Sequence, residues 1–106
     1  MASAAPPPFG PFLLLERLGE GSTGMVDLAR PLDPSLGFPE LLVVKRLHVH
    51  LSSKKSFVRR FRHEGLLAIS VDDPRIATVY DVGRVGEMFY LAMEYVPGWK
   101  LQQLLN

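Results

Sequence analysis

Apolar residues come in short bursts along this chain, separated by glycine, proline and charge. Residues 12–18, apolar apart from Glu16-Arg17, read as a strand, although Leu13-Leu14-Leu15 could also begin a helix. A glycine-rich turn follows at 19–24, and residues 25–29 return as a second strand, which makes a hairpin with a long loop. Residues 30–39 carry Pro31, Pro34, Gly37 and Pro39 and read as a loop. Residues 40–49 form the third strand, where period-two alternation puts Leu41, Val43, Lys45 and Leu47 on one face. The period then changes. Phe57, Phe61, Glu64 and Ala68, with Leu67 beside them, recur at spacings of three and four, which predicts a helix over 52–70 capped by Ser52 or Ser53. Gly65 weakens its interior by about 1 kcal/mol relative to alanine. Asp72-Asp73-Pro74 ends the helix. Strands are predicted at 76–82 and 88–96, joined by a turn at 84–87 built on Gly83 and Gly86. Pro97-Gly98 breaks the last strand, and residues 99–106 look like the first turns of another helix.

These elements predict an α+β fold, with a twisted antiparallel sheet of about five strands and one main helix packed on it. Residues 1–11, rich in alanine and proline with Pro6-Pro7-Pro8, are expected to be a disordered, extended leader; a proline-recognition ligand is the alternative there. Residues 12–96 form the folded unit, and 97–106 a linker with the start of a truncated helix.

Composition narrows the function only slightly. The chain has 106 residues, 47% hydrophobic and 22% charged, which suits one small domain. A net charge of +1 gives no strong field for nucleic acid or an anionic membrane. The absence of cysteine excludes disulfides and thiolate metal sites and fits a cytoplasmic location. No apolar run reaches the roughly 20 residues that a spanning helix needs, and a secretory signal is not expected. There is no internal repeat and no zinc-ligand spacing. His48 and His50 read as an isolated pair at the surface.

Candidate chemistry centres on Gly19-Glu20-Gly21-Ser22-Thr23-Gly24-Met25-Val26, a G-x-G-x-x-G-x-V stretch. Glycines at that spacing let a backbone pass close to a large anion. Two ligand classes use such a loop. In a dinucleotide-binding unit it leads from a strand into a helix, whereas over nucleotide triphosphates it joins two antiparallel strands. Residues 25–31 have no helical periodicity and end at Pro31, which favours the second. Glu40 lies about where a ribose-binding acid would, but it opens a new apolar strand. Lys45 is a cation on a mostly apolar face, read either as a snorkelling lysine or as a phosphate ligand under the glycine loop. Glu64 is a carboxylate on an apolar helix stripe and needs a cation, for which Lys45 is the candidate. Lys54, Lys55, Arg59, Arg60, Arg62 and His63 cover the opposite side of the helix, read as a solvated face with an anion or partner patch as the alternative.

These motifs, in this order, resemble the N-terminal lobe of a protein kinase of the bacterial serine/threonine type. Gly19 to Val26 matches the glycine-rich loop, Leu42-Val43-Val44-Lys45 the V-A-I-K strand, and Glu64 the helix glutamate. Asp73-Pro74-Arg75-Ile76 sits where such kinases often carry His-Pro-Asn-Ile, and Met93-Glu94-Tyr95-Val96-Pro97-Gly98 resembles the linker between lobes. The resemblance implies a kinase-like N-lobe that binds ATP, with Leu18 among its nucleotide-binding residues and the backbone of Gly19, Glu20, Gly21, Ser22, Thr23 and Gly24 over the phosphates. It implies Lys45 on the α- and β-phosphates and Glu64 holding Lys45. It further implies Val26 and Val43 over the adenine, Met93 as gatekeeper, and the Glu94 carbonyl and Val96 amide on the adenine edge.

The sequence departs from the family pattern at several points. Val43 replaces the usual alanine, Thr23 an aromatic or small apolar residue at the loop tip, and Ala68 a leucine one turn after Glu64. No H-R-D-x-x-x-x-N or D-F-G stretch is present; Asp81-Val82-Gly83 lies before the linker and reads as a strand end. The resemblance therefore implies the ATP-binding lobe of an enzyme that phosphorylates serine or threonine in proteins. Its magnesium ligands and peptide-binding half would lie elsewhere, and the chain alone is expected to be inactive. The alternatives are a non-catalytic kinase-like interaction module and, more remotely, a dinucleotide-binding protein.

Overall fold

The computed structural model describes residues 8–70 and 78–96, with the helical backbone but not the side chains of residues 64–70. The sheet has five strands: β1 (Phe12–Glu20), β2 (Gly24–Pro31), β3 (Leu42–Leu47), β4 (Val79–Val85) and β5 (Met88–Glu94). They lie in the order β1-β2-β3-β5-β4, every neighbouring pair antiparallel. Two helices enter between β3 and β4: the single turn α1 (Val49–Ser52) and α2 (Lys55–Ser70). The predicted α+β architecture is present, and Gly24 runs into a strand, so the dinucleotide-type loop-to-helix geometry is absent.

Both faces of β3 are covered, which explains why it is apolar apart from Lys45 and Arg46. Leu42 and Val44 face one side with Phe9, Phe12, Ala29, Tyr90 and Ala92, and Phe38 packs against that group. Leu47, on the other face, joins Leu51, Phe61 and Leu91, with Phe57, Val58, Val82 and Phe89 from α2 and the β4–β5 hairpin around them. Phe57 and Phe61, which begin the three-four stripe, thus lie on the helix face that meets the sheet.

The structure differs from the sequence expectation in several places, each for a local reason. Phe9, which composition groups with the leader, is buried, pairs through its backbone with Phe12, and sets its ring edge-on to Tyr90. β3 starts at Leu42, leaving Leu41 exposed, and it ends at Leu47 because the His48 carbonyl is taken by the N–H groups of Leu51 and Ser52. Ser52 and Ser53 do not cap the long helix: their hydroxyls donate to the carbonyls of His48 and His50 within α1. Gly83 lies inside β4, and the turn is Gly86-Glu87. A Cβ on Gly83 would meet the Tyr90 ring at 2.7–2.8 Å, so close packing, not turn geometry, requires glycine there. The helix stripe beyond His63, the Pro74 turn and the linker from Pro97 onward lie outside the described side chains.

Tyr90 ties the two ends of the sheet together. Its hydroxyl donates to Asp81 Oδ2 at 3.0 Å, and its ring packs against those of Phe9 and Phe12. Burial, reinforced by the Asp81 hydrogen bond, pushes the phenol up to about 12. An unfolded tyrosine ionises near pH 10, so this contribution to stability is complete below pH 10 and is lost as the pH rises through about 12. Tyr90→Phe is expected to flatten the alkaline limb of urea stability measured from pH 9 to 12, at a cost of about 1 kcal/mol at pH 7. An unchanged alkaline slope would place the titrating group elsewhere.

Candidate functional site

β1 and β2 stay paired up to Glu20 and Met25, and the Gly21 N–H donates to the Gly24 carbonyl at 2.8 Å. Ser22 and Thr23 are left as an exposed two-residue tip. Gly24 is buried against the next strand. A Cβ there would collide with the Arg46 carbonyl oxygen, so its glycine is demanded by the protein's own backbone. The tip is held from below by His48. Its backbone N–H donates to the Thr23 carbonyl at 2.9 Å, and its Nε2 lies 2.8 Å from the Gly21 carbonyl oxygen. A carbonyl only accepts, so Nε2 carries the proton.

Register brings the remaining groups together. Gly19, Val26, Lys45 and Leu91 are partners across β1, β2, β3 and β5, and Val43 is paired with Met93 one step along. Paired residues share a face. Lys45 therefore stands between two apolar groups: the helix-covered one around Leu91, and a smaller one made by Val26 and Val43 with Leu18, Met93 and Tyr95 against them. Lys45 is only 7% exposed, and it is not left without a partner. Burying a cation in such a position is costly unless its charge is met. Val26 and Val43 have no exposed surface, so a flat ligand would reach them only after their present cover opens.

The sequence-predicted residues thus fall into two groups. Leu18, Val26, Val43, Lys45 and Met93 are gathered on one face of the sheet, beside the loop formed by Gly19 to Gly24. Glu64 belongs to α2, but its side chain, and with it the expected pair with Lys45, lies outside the described side chains. Glu94 ends β5, where its N–H donates to the Thr78 carbonyl at 2.7 Å and its carboxylate accepts from the Thr78 N–H at 3.2 Å. Val96, two residues on, is half-buried.

Sequence reasoning missed two features. His48 is no isolated surface residue: the signal was its place one residue after Leu47, the β-partner of Gly24, which sets it beside the loop tip. Asp27 is the other. Buried on the far face of β2, it accepts from Arg17 Nε at 2.8 Å and from an Arg46 terminal nitrogen at 2.9 Å, while Arg17 also reaches Glu20. The Asp27 hydrogen bond is the main cause of the raised Arg17 pKa, partly offset by burial. The Arg46 guanidinium lies 5.1 Å over the Phe9 ring. This chain of charges locks β1, β2 and β3 in register behind the loop.

The basic helix face lies elsewhere. Lys55, Arg59, Arg62 and Arg84, with Val58 and Phe89, line an open groove of about 540 Å³ between α2 and the β4–β5 hairpin. All four cations are exposed, as a solvated face requires. Among the described residues no group of three or more His, Asp or Glu could hold a metal ion, and no helix is long and apolar enough to cross a membrane.

No protein-family model matches the chain. Individual proteins do. Over 91 residues, 86% of this chain, it is 35% identical to the tyrosine-protein kinase MasK of Myxococcus xanthus. It is 31% identical over 97 residues to the serine/threonine-protein kinase PrkC of Bacillus subtilis. In both cases it spans about 14% of the relative's length. Among solved structures, a mutant kinase domain of PknI from Mycobacterium tuberculosis superposes with a TM-score of 0.75 at 30% identity, covering 99% of this chain and 41% of that one. For another PknI kinase domain structure the TM-score is 0.71 at 29% identity, over 90% of this chain and 36% of that one. Strand order, glycine hairpin and buried strand lysine all accompany this likeness, and the chain belongs with the bacterial serine/threonine and tyrosine protein kinases as the N-terminal lobe of their fold.

Proposed function

We propose that this chain binds ATP between its glycine loop and Lys45, as the nucleotide-holding part of an enzyme that phosphorylates serine or threonine in proteins. The observation that carries the reading is a buried cation set directly opposite Val26, one strand from a glycine hairpin and between two apolar groups. A triphosphate offers such a cation several anionic oxygens, and a purine suits the apolar surface of Val26, Val43, Leu18 and Met93. Within this proposal Lys45 binds the α- and β-phosphates and Glu64 orients Lys45. Backbone N–H groups from Gly19 to Gly24 face the phosphates, Met93 limits the depth of the purine slot, and the Glu94 carbonyl and Val96 N–H fix the purine edge. ATP supplies the transferable phosphoryl group; Mg²⁺ would accompany its phosphates and take its protein ligands from outside these residues. With no H-R-D-x-x-x-x-N or D-F-G stretch among its 106 residues, the chain by itself is proposed to hold nucleotide without transferring phosphate. A cytoplasmic location belongs to the same reading.

The test is an amide NMR titration of the 106-residue chain with MgATP. Shifts confined to residues 18–26, 43–45 and 93–96 are expected, at the high-micromolar to millimolar level, because the valines must first be uncovered. Shifts centred on the groove of Lys55, Arg59 and Arg84, or none at all at several millimolar, would overturn the proposal.

A further inference from the structure

We propose that His48 is a positioning residue that sets the glycine loop for anion binding and ties it to the helix-covered core. The consequence for nucleotide rests on the ATP reading above; the clamp itself does not.

The Gly21 carbonyl and the Ser22 N–H belong to one peptide unit, as do the Thr23 carbonyl and the Gly24 N–H. In a trans peptide the two groups point in opposite directions, and no cis peptide occurs among the described residues. His48 holds both carbonyls, one through Nε2 and one through its backbone N–H. Both N–H groups are thereby turned away from His48, on a tip whose glycine neighbours would otherwise allow many backbone states. Aligned N–H groups on a turn are an anion cradle.

His48 is itself fixed. Its carbonyl accepts from the N–H groups of Leu51 and Ser52 and from the Ser52 hydroxyl, and its ring stacks on His50 with centroids 5.6 Å apart. Leu51, on the same short turn, is buried with Leu47, Phe61 and Leu91. A continuous path therefore runs from α2 through Leu51 and the α1 turn to His48 and the loop tip. A shift of α2 against the sheet would reach the glycine loop through this path and needs no direct contact between helix and loop.

The experiment compares His48→Phe and His48→Gln with the unaltered 106-residue chain. Phenylalanine keeps a ring to stack on His50 and the backbone donor but loses Nε2; glutamine restores an N–H donor. Without ligand, His48→Phe is expected to lower the ¹⁵N order parameters of Ser22 and Thr23 from the rigid range towards about 0.6. It should also speed amide exchange at Gly21 about fivefold, the loss of one hydrogen bond. His48→Gln should return both towards the original values, and thermal unfolding midpoints should stay together. With MgATP, the dissociation constant should rise about fivefold in His48→Phe and recover within about twofold in His48→Gln. Loop dynamics unchanged in His48→Phe, or His48→Gln as impaired as His48→Phe, would overturn the clamp. If the unaltered chain ignores MgATP, the ATP reading fails, while the ligand-free comparison still decides the role of His48.

Discussion

Gly24→Ala is expected to cost about 3 kcal/mol of folding stability, at the upper end of what overpacking does and a large share of what a domain this size possesses. The added Cβ would collide with the Arg46 carbonyl oxygen and stand 3.1 Å from its carbon and 3.4 Å from Leu47 Cα. All three atoms are backbone of β3, so no side chain can rotate out of the way. The strand can yield only by separating β2 from β3 at their last pair, Gly24 with Leu47. That separation also pulls Thr23 from the His48 N–H and Gly21 from the His48 ring. Loss of stability and loss of loop order should therefore appear together. Urea unfolding measures the first and Ser22 and Thr23 order parameters the second. Gly37→Asn is the control: Gly37 has φ +83 and no atom within 4 Å of the added Cβ, a conformation that asparagine tolerates. If Gly24→Ala unfolds at the same urea concentration as Gly37→Asn, the close approach is not what fixes this residue.

Gly24 also shows where sequence reasoning reached its limit. The G-x-G-x-x-G spacing was legible, and so was its placement between two strands, because Pro31 and the missing three-four period favour a strand there. What the spacing did not carry was the reason for the third glycine. That reason is an approach of β3, a contact between residues 22 positions apart, and no local pattern contains it. The same limit applies to Asp27. Only the register of three strands brings Arg17 and Arg46 to it. Phe9 and Gly83 failed for a related reason. Composition placed one in a leader and the other in a turn, but Tyr90 packs against both.

The five strands and the long helix were legible because alternation and helical period are local and extend over many residues. Strand ends were less so. β3 stops at Leu47 because His48 begins a turn whose hydrogen bonds are made forward, to Leu51 and Ser52. Lys45 stood out for a different reason. A cation inside an otherwise apolar alternation conflicts with the pattern around it, and conflicts of this kind tend to mark sites rather than scaffold. Val26, Val43 and Met93 were reached through the family resemblance, and the register sets all three around that cation's face of the sheet.

Lys45→Met is expected to weaken MgATP binding by about 10- to 100-fold, the worth of a hydrogen-bonded charge, and to change adenosine binding by less than about threefold. Methionine nearly reproduces the lysine stem, so the space between Val26 and Leu91, its β-partners on either side, stays filled. Only the charge goes. The nucleoside carries no phosphate and should be indifferent to it. Arginine is not a conservative replacement here: its planar fork is larger than an ammonium and has to fit where only 7% of the lysine surface is exposed. Lys45→Arg should therefore recover less than half of the lost binding energy. Titrations with MgATP and adenosine, followed at the amides of Gly21, Val26 and Met93, separate the outcomes. Equal weakening of both ligands would mean that Lys45 shapes the slot instead of holding phosphate. Unweakened MgATP binding in Lys45→Met would remove the cation from the site altogether.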